Sequence, residues 1–133
     1  MKKGFTLIEL LVAISILAVL STLVLANLNS ARERGRDARR KSDFHQIKTA
    51  LRLYYNDNQA FPADIIFGSA WTPYMNEVPF DPLNVGLLIY SYTYVSDNEY
   101  FLIACLENAN DENGIEVEDD VCMSEKQYQI TQD

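Results

Sequence analysis

Apolar side chains dominate the chain from Phe5 to Leu28, and then the pattern changes character without a break in periodicity. Between Phe5 and Ala26 there are 22 residues and one ionisable side chain, Glu9. As a helix rising about 1.5 Å per residue, that run covers about 33 Å, against a hydrocarbon core near 30 Å. Beyond it, polar residues take over, but no proline occurs before Pro62 and the only glycine between Phe5 and Phe61 is Gly35. Small residues recur three or four apart at Ala31, Gly35, Ala38 and Ser42, and Ile47, Leu51 and Tyr54 continue the spacing with Phe44 beside them. The residue before a proline avoids the helical region, so Phe61-Pro62 is a natural stop. The pattern predicts one helix from about Phe5 to Asn58, broken or bent at most near Gly35.

Residues 59–86 read as loop, punctuated by Pro62, Gly68, Pro73, Pro79, Pro82 and Gly86. Two strand signals follow. Leu87–Val95 alternates with Tyr90, Tyr92 and Tyr94 on one face, and Tyr100–Leu106 is the second, with Ser96-Asp97-Asn98-Glu99 as the turn between them. Gln127–Thr131 alternates Tyr128 and Ile130 with polar neighbours and predicts a third strand. Three antiparallel strands with one apolar face need a cover, and the helix segment carrying Ile47, Leu51 and Tyr54 supplies it. The expected class is α+β: a long N-terminal helix, apolar in its first half, packed on a small antiparallel sheet of about three strands.

Glu9 is the anomaly. A carboxylate inside a membrane-length helix costs roughly 2.5–3.5 kcal/mol by insertion scales, so it persists where something uses it. A cleaved secretory signal accounts for Lys2-Lys3 and for Val24-Leu25-Ala26 as a small-residue cleavage site, but the apolar stretch is longer than the usual signal core. A plain single-pass anchor accounts for the length and leaves Glu9 without a partner. The third reading accounts for both. Lys3-Gly4-Phe5-Thr6-Leu7-Ile8-Glu9 closely resembles the processing motif of type IV prepilins and type II secretion pseudopilins.

That resemblance implies a cut by a membrane prepilin peptidase between Gly4 and Phe5, and N-methylation of Phe5. Residues 1–4 are then a leader, 5–28 a transmembrane and filament-core helix, 29–58 its amphipathic continuation, and 59–133 a globular domain. Glu9 compensates the amino group created at Phe5, in its own chain or a neighbour's, because in low dielectric either charge alone is costly. The implied partners are further copies of the chain in a helical homopolymer, minor pilins or pseudopilins, and an inner-membrane assembly platform. The implied location is the inner (cytoplasmic) membrane, single-pass with a cytoplasmic N-terminus, and then a periplasmic or extracellular filament. The segment Val78-Pro79-Phe80-Asp81-Pro82 also resembles a Leu-Pro-x-Asp-Pro segment of major pseudopilins; by itself it is a turn with two prolines. Many family members carry proline at the position of Ala26. Alanine is an excellent helix former, so a more continuous helix is expected here.

Charge adds a second asymmetry. Residues 1–41 carry eight Lys/Arg and three Asp/Glu, whereas residues 42–133 carry three and sixteen. The basic run Arg32, Arg34, Arg36, Arg39, Arg40 and Lys41 reads as a solvated helix face touching lipid phosphates or acidic neighbours, in preference to a nucleic-acid site. Its placement opposes the positive-inside rule, and the family topology is followed instead. Cys105 and Cys122 form a disulfide if this part is exported; two free buried thiols are the alternative. In the acidic loop, Asp111, Asn113, Glu116, Glu118, Asp119 and Asp120 offer hard oxygen atoms at a density that suits Ca²⁺. Major pseudopilins bind calcium in a similarly placed loop, so the resemblance points the same way. The spacing is not that of an EF-hand, and a merely solvated acidic loop pinned by the cysteines is the alternative.

No catalytic set emerges. His45 is the sole histidine and falls on the long helix, no nucleotide loop is present, and two cysteines alone cannot make a structural zinc site. The expectation is a non-enzymatic filament subunit that requires no cofactor, with Ca²⁺ as a ligand the acidic loop can take. The alternative is a membrane-anchored, exported ligand-binding domain.

Overall fold

The computed structural model describes residues 4–117, 122 and 124–131. One helix, α1, spans Leu7–Asn58 and contributes to two compact units, Met1–Glu33 and Arg34–Asp133. Ala26 and Gly35 both lie within α1. From Leu7 onward the first unit is helix. Phe5, Leu7, Ile8, Leu10, Leu11, Ile14, Leu17 and Val19 are all exposed, and no part of this unit covers them. Its hydroxyls turn inward on the helix: Ser15 Oγ donates to the Leu11 carbonyl at 2.7 Å, and Ser21 Oγ to that of Leu17 at 2.7 Å. Such back-bonding satisfies a polar group where no water is present.

In the second unit α1 packs on a four-stranded antiparallel sheet of order β1-β2-β4-β3. The strands are β1 Tyr90–Ser96, β2 Glu99–Cys105, β3 Ile115–Glu116 and β4 Lys126–Thr131. The sheet is therefore one strand larger than the pattern predicts. The extra strand, β3, is a two-residue piece inside the acidic loop that pairs Ile115 with Gln127 and Glu116 with Lys126, too short to leave a periodic signal. Residues 87–89 do not join β1, because Val85 and Leu88 close a tight turn there with Asn84 and Gly86 at positive φ. The helix ends at Asn58, as the pattern predicts, and starts at Leu7, two residues after the expected Phe5. Gln59 takes a left-handed conformation (φ 56°) and its N–H returns to the Tyr55 carbonyl at 2.7 Å, the geometry that closes a helix C-terminus.

The sheet presents one set of alternating residues to α1. Tyr90 pairs with Ala104, Tyr92 with Leu102 and Tyr94 with Tyr100, and Leu102 and Ala104 pair onward with Ile130 and Tyr128. Against them lie Phe44, Ile47 and Leu51, all at 0% exposure. Phe44 meets the Tyr90 ring edge-on at 4.9 Å, and Phe61 meets Tyr100 at 4.7 Å. The loop after the helix is fastened to the hairpin by Phe61 N–H donating to the Asp97 carbonyl (2.9 Å) and by Tyr92 OH donating to that of Pro62 (2.7 Å). Trp71 closes the far end against Tyr54 and Tyr74.

The buried stripe of α1 differs upstream of Phe44 from the one that small residues suggested. Gly35, Ala38 and Ser42 are exposed, and Asp37, Arg40 and Asp43 are buried instead. They share the 3.6-residue period of Phe44, Ile47 and Leu51, so the apolar stripe continues as an ionic one.

Leu51→Ala removes a side chain with no exposure and is expected to cost about 2–5 kcal/mol. Leu53→Ala, one face round and exposed, is expected to stay within about 0.5 kcal/mol. Chemical denaturation of the two variants checks the packing directly.

Candidate functional site

The helix begins with a reciprocal pair. Thr6 stands just ahead of α1; its backbone N–H donates to Glu9 Oε2 at 2.9 Å and its hydroxyl to the same oxygen at 2.7 Å. Glu9 N–H returns to Thr6 Oγ1 at 3.3 Å. This is a capping box: a threonine and a glutamate three residues apart satisfy amides that a helix start leaves unpaired, and a carboxylate at that end also suits the helix dipole. Glu9 therefore has partners within its own chain, which a plain reading of the apolar run did not supply. Both Thr6 bonds fall on Oε2. Gly4 has open space around its Cα, and Phe5 is 83% exposed. Phe5, Ile8, Glu9, Val12, Ala13 and Ile16 line a shallow, almost wholly apolar groove on this face.

The second concentration of charge is buried. Arg40 has no exposure, and its guanidinium touches three carboxylates. Nε and Nη2 form a fork on Asp81, at 2.6 and 2.9 Å, and Nη1 reaches Asp37 at 2.7 Å and Glu107 at 2.6 Å. Each carboxylate in turn gathers backbone. Asp81 accepts the N–H groups of Leu83 and Asn84, and Asp37 accepts those of Glu107 and Asn108. Arg36 forms a second fork on Glu107, through Nε at 2.7 Å and through Nη2. Among the described residues no buried side-chain nitrogen or oxygen lacks a hydrogen-bond partner. Burial works against the Arg40 charge, but the three carboxylates outweigh it and hold its pKa above the usual arginine value. Next to this knot, burial raises the Asp43 carboxyl despite the hydrogen bond from Tyr90 OH (2.9 Å). The Asp37–Arg40 spacing and the Asp81-Pro82 turn are visible in the sequence, yet nothing there says that they meet.

The acidic loop is pinned by the Cys105–Cys122 disulfide, which spans 17 positions. A loop of that size contributes about 3 kcal/mol in the chain-entropy account. Of the oxygen donors expected to suit calcium, Asp111 takes the Lys41 ammonium on both carboxylate oxygens, at 2.6 and 2.7 Å. Glu116 Oε1 takes Lys126 Nζ at 3.1 Å, and Asn113 directs its backbone N–H to Asp111. Glu118, Asp119 and Asp120 lie outside the described residues. Among the described residues, no three His, Cys, Asp or Glu side chains are placed to share a metal ion. His45 is exposed on α1.

The first unit is a membrane-length apolar helix capped by Thr6 and Glu9, and the long helix with its small antiparallel sheet is an α+β, pilin-like fold. The family model described as the prokaryotic N-terminal methylation motif matches residues 1–25. The chain is similar to type II secretion system core protein G of Pectobacterium carotovorum subsp. carotovorum, 39% identical over 62 residues, 47% of this chain and 40% of that protein. It is similar to the protein of the same name in Escherichia coli (strain K12), 38% identical over 61 residues, 46% of this chain and 42% of that one. It also matches the type IV wide pilus major component PilA4 of Thermus thermophilus, 36% identical over 62 residues, 47% of each chain. The matched region spans less than half the length of each of these relatives. No solved structure matches the chain.

Arg40→Met leaves three carboxylates facing one another without their cation and is expected to cost about 3–5 kcal/mol in denaturant unfolding. The pH dependence has a definite sign. The hydrogen bond from Arg36 is the largest influence on Glu107; it and Arg40 outweigh burial and hold that carboxyl below its ordinary value. A depressed carboxyl adds stability above the unfolded pKa, about 4.3, and that stability is lost as the pH falls through the folded value. Thermal midpoints should therefore drop below about pH 4, with a shallower drop in Glu107→Gln.

Proposed function

We propose that this chain is a structural subunit of a helical filament, a type II secretion pseudopilus or a type IV pilus, and not an enzyme. The observation that carries the reading is the first unit. It holds 22 residues from Phe5 to Ala26, matches the N-terminal methylation motif, and among its described residues has no apolar cover of its own. A face of that kind is stable in lipid or against other copies of itself. One helix then has two sites of burial: the bilayer before assembly and the filament core after it.

The chemistry at the tip follows from the residues. A peptidase cuts between Gly4 and Phe5, and the new amino group on Phe5 is methylated. Thr6 keeps its backbone amide through that cut, so the capping box on Glu9 survives. Glu9 Oε2 is held by Thr6, which leaves Oε1 to receive the positive amino terminus of the same or a neighbouring copy. A charge pair of this sort in an apolar setting sets register along the filament, because a mismatched copy strands both charges. The relatives named core protein G support a secretion filament, and PilA4 supports a pilus. The peptidase, minor pilins and an inner-membrane platform are the partners this route requires, with the N-terminus on the cytoplasmic side.

Two readouts on the native protein test it. Mass spectrometry is expected to find N-methylated Phe5 as the first residue. Glu9→Ala is expected to insert and be cut, yet fail to enter filaments. Retention of Met1, or normal filament yield from Glu9→Ala, contradicts the proposal.

A further inference from the structure

The Lys41 ammonium occupies the place in the acidic loop where a bound cation was expected. Its Nζ lies 2.6 and 2.7 Å from the two Asp111 oxygens and 5.8 Å from the centre of the Tyr128 ring. Asp111 is the organising residue of this turn. Its N–H donates to the Asn108 carbonyl, its side chain accepts the Asn113 N–H, and its own carbonyl accepts the Gly114 N–H. Gly114 keeps the turn tight: a Cβ there lies 3.1 Å from Leu106 Cδ1 and 3.2 Å from Lys126 Cδ. Burial pushes the Asp111 carboxyl upward, but the hydrogen bonds from Lys41 and from the Asn113 backbone leave it below the usual carboxylate range. A cavity of about 420 Å³ opens beside it, lined by Arg34, Lys41, Asn108, Asn110, Asp111 and Glu112 among others, so a second positive group, Arg34, faces the same space as the Lys41 ammonium.

The described donors do not fit a calcium ion. Calcium takes six to eight oxygens at about 2.3–2.6 Å, mostly uncharged or anionic. Both oxygens of Asp111 are committed to one ammonium, and the Glu116 carboxylate faces Lys126 at the other strand. An ion on Asp111 meets the Lys41 charge within a few ångströms, and the two repel. We propose that Lys41 supplies the cation that organises the segment 107–117, so that this subunit folds without a divalent metal. The inference goes beyond the filament reading and does not depend on it, because folding is read on the single subunit.

The test is thermal unfolding of the full chain in detergent micelles, followed by near-ultraviolet circular dichroism, with chelator and with millimolar calcium chloride. The full chain retains Glu118, Asp119 and Asp120, so their oxygens are part of the trial. Wild type is expected to melt at the same midpoint in both solutions. Lys41→Met is expected to melt about 4–8 °C lower, and Lys41→Arg to recover most of the loss. Asp111→Asn is expected to match Lys41→Met, and the double variant to melt no lower than either, because the two side chains act as one unit. A wild-type midpoint that rises with calcium, or a Lys41→Met midpoint equal to wild type, overturns the proposal.

Discussion

A single buried cation joins the parts of the globular unit that sequence separates most. Arg40 on α1 holds Asp81 in the loop before the sheet and Glu107 just after β2, with Asp37 one turn back on the same helix. A guanidinium suits this role, because its planar fork makes two parallel bonds to one carboxylate and keeps further donors for others. Stability is not the whole of its effect. Replacing a buried ionic group by apolar ones is often tolerated, whereas removing one member alone is costly. What the group fixes is which loop residues meet which helix turn, since Asp81 and Asp37 each hold two backbone N–H groups in place.

The two units handle apolar surface in opposite ways. In Arg34–Asp133, Phe44, Ile47, Leu51, Tyr100 and Leu102 are enclosed between helix and sheet. In Met1–Glu33 every described apolar side chain is open, and the Ser15 and Ser21 hydroxyls are satisfied by the helix itself. A carboxylate in such a helix needs local partners, and Thr6 supplies two of them to Glu9. The first unit does not itself supply the burial that its described apolar side chains lack. Lipid and neighbouring copies are the two covers that the proposed filament role assigns to it.

Much of this was legible in the residues. The apolar run, the absence of helix breakers and the alternation of Tyr90, Tyr92 and Tyr94 placed α1 and the first hairpin. The helix end at Asn58 was legible too, although the residue that closes it is Gln59, with its left-handed backbone, and not the proline that follows. The stripe upstream of Phe44 was misread for a physical reason: a buried charge looks like a surface charge until its partners are known. Arg40 stands in a run of basic residues that reads as a solvated face, and only the approach of Asp81 and Glu107, 41 and 67 positions away, makes it interior. The acidic loop hid in the same way, since Lys41 is 70 positions from Asp111. Long-range charge pairing leaves no periodic trace in a single sequence.

The Arg40 cluster makes the two loops part of the core and not appendages to it. Native-state hydrogen exchange resolved to single amides tests this most directly. The amides of Leu83, Asn84, Glu107 and Asn108 belong to loops, yet they are expected to open with the same free energy as helix amides near Ile47 and Leu51. Exchange of those four amides orders of magnitude faster than the helix core, at rates ordinary for surface loops, contradicts it.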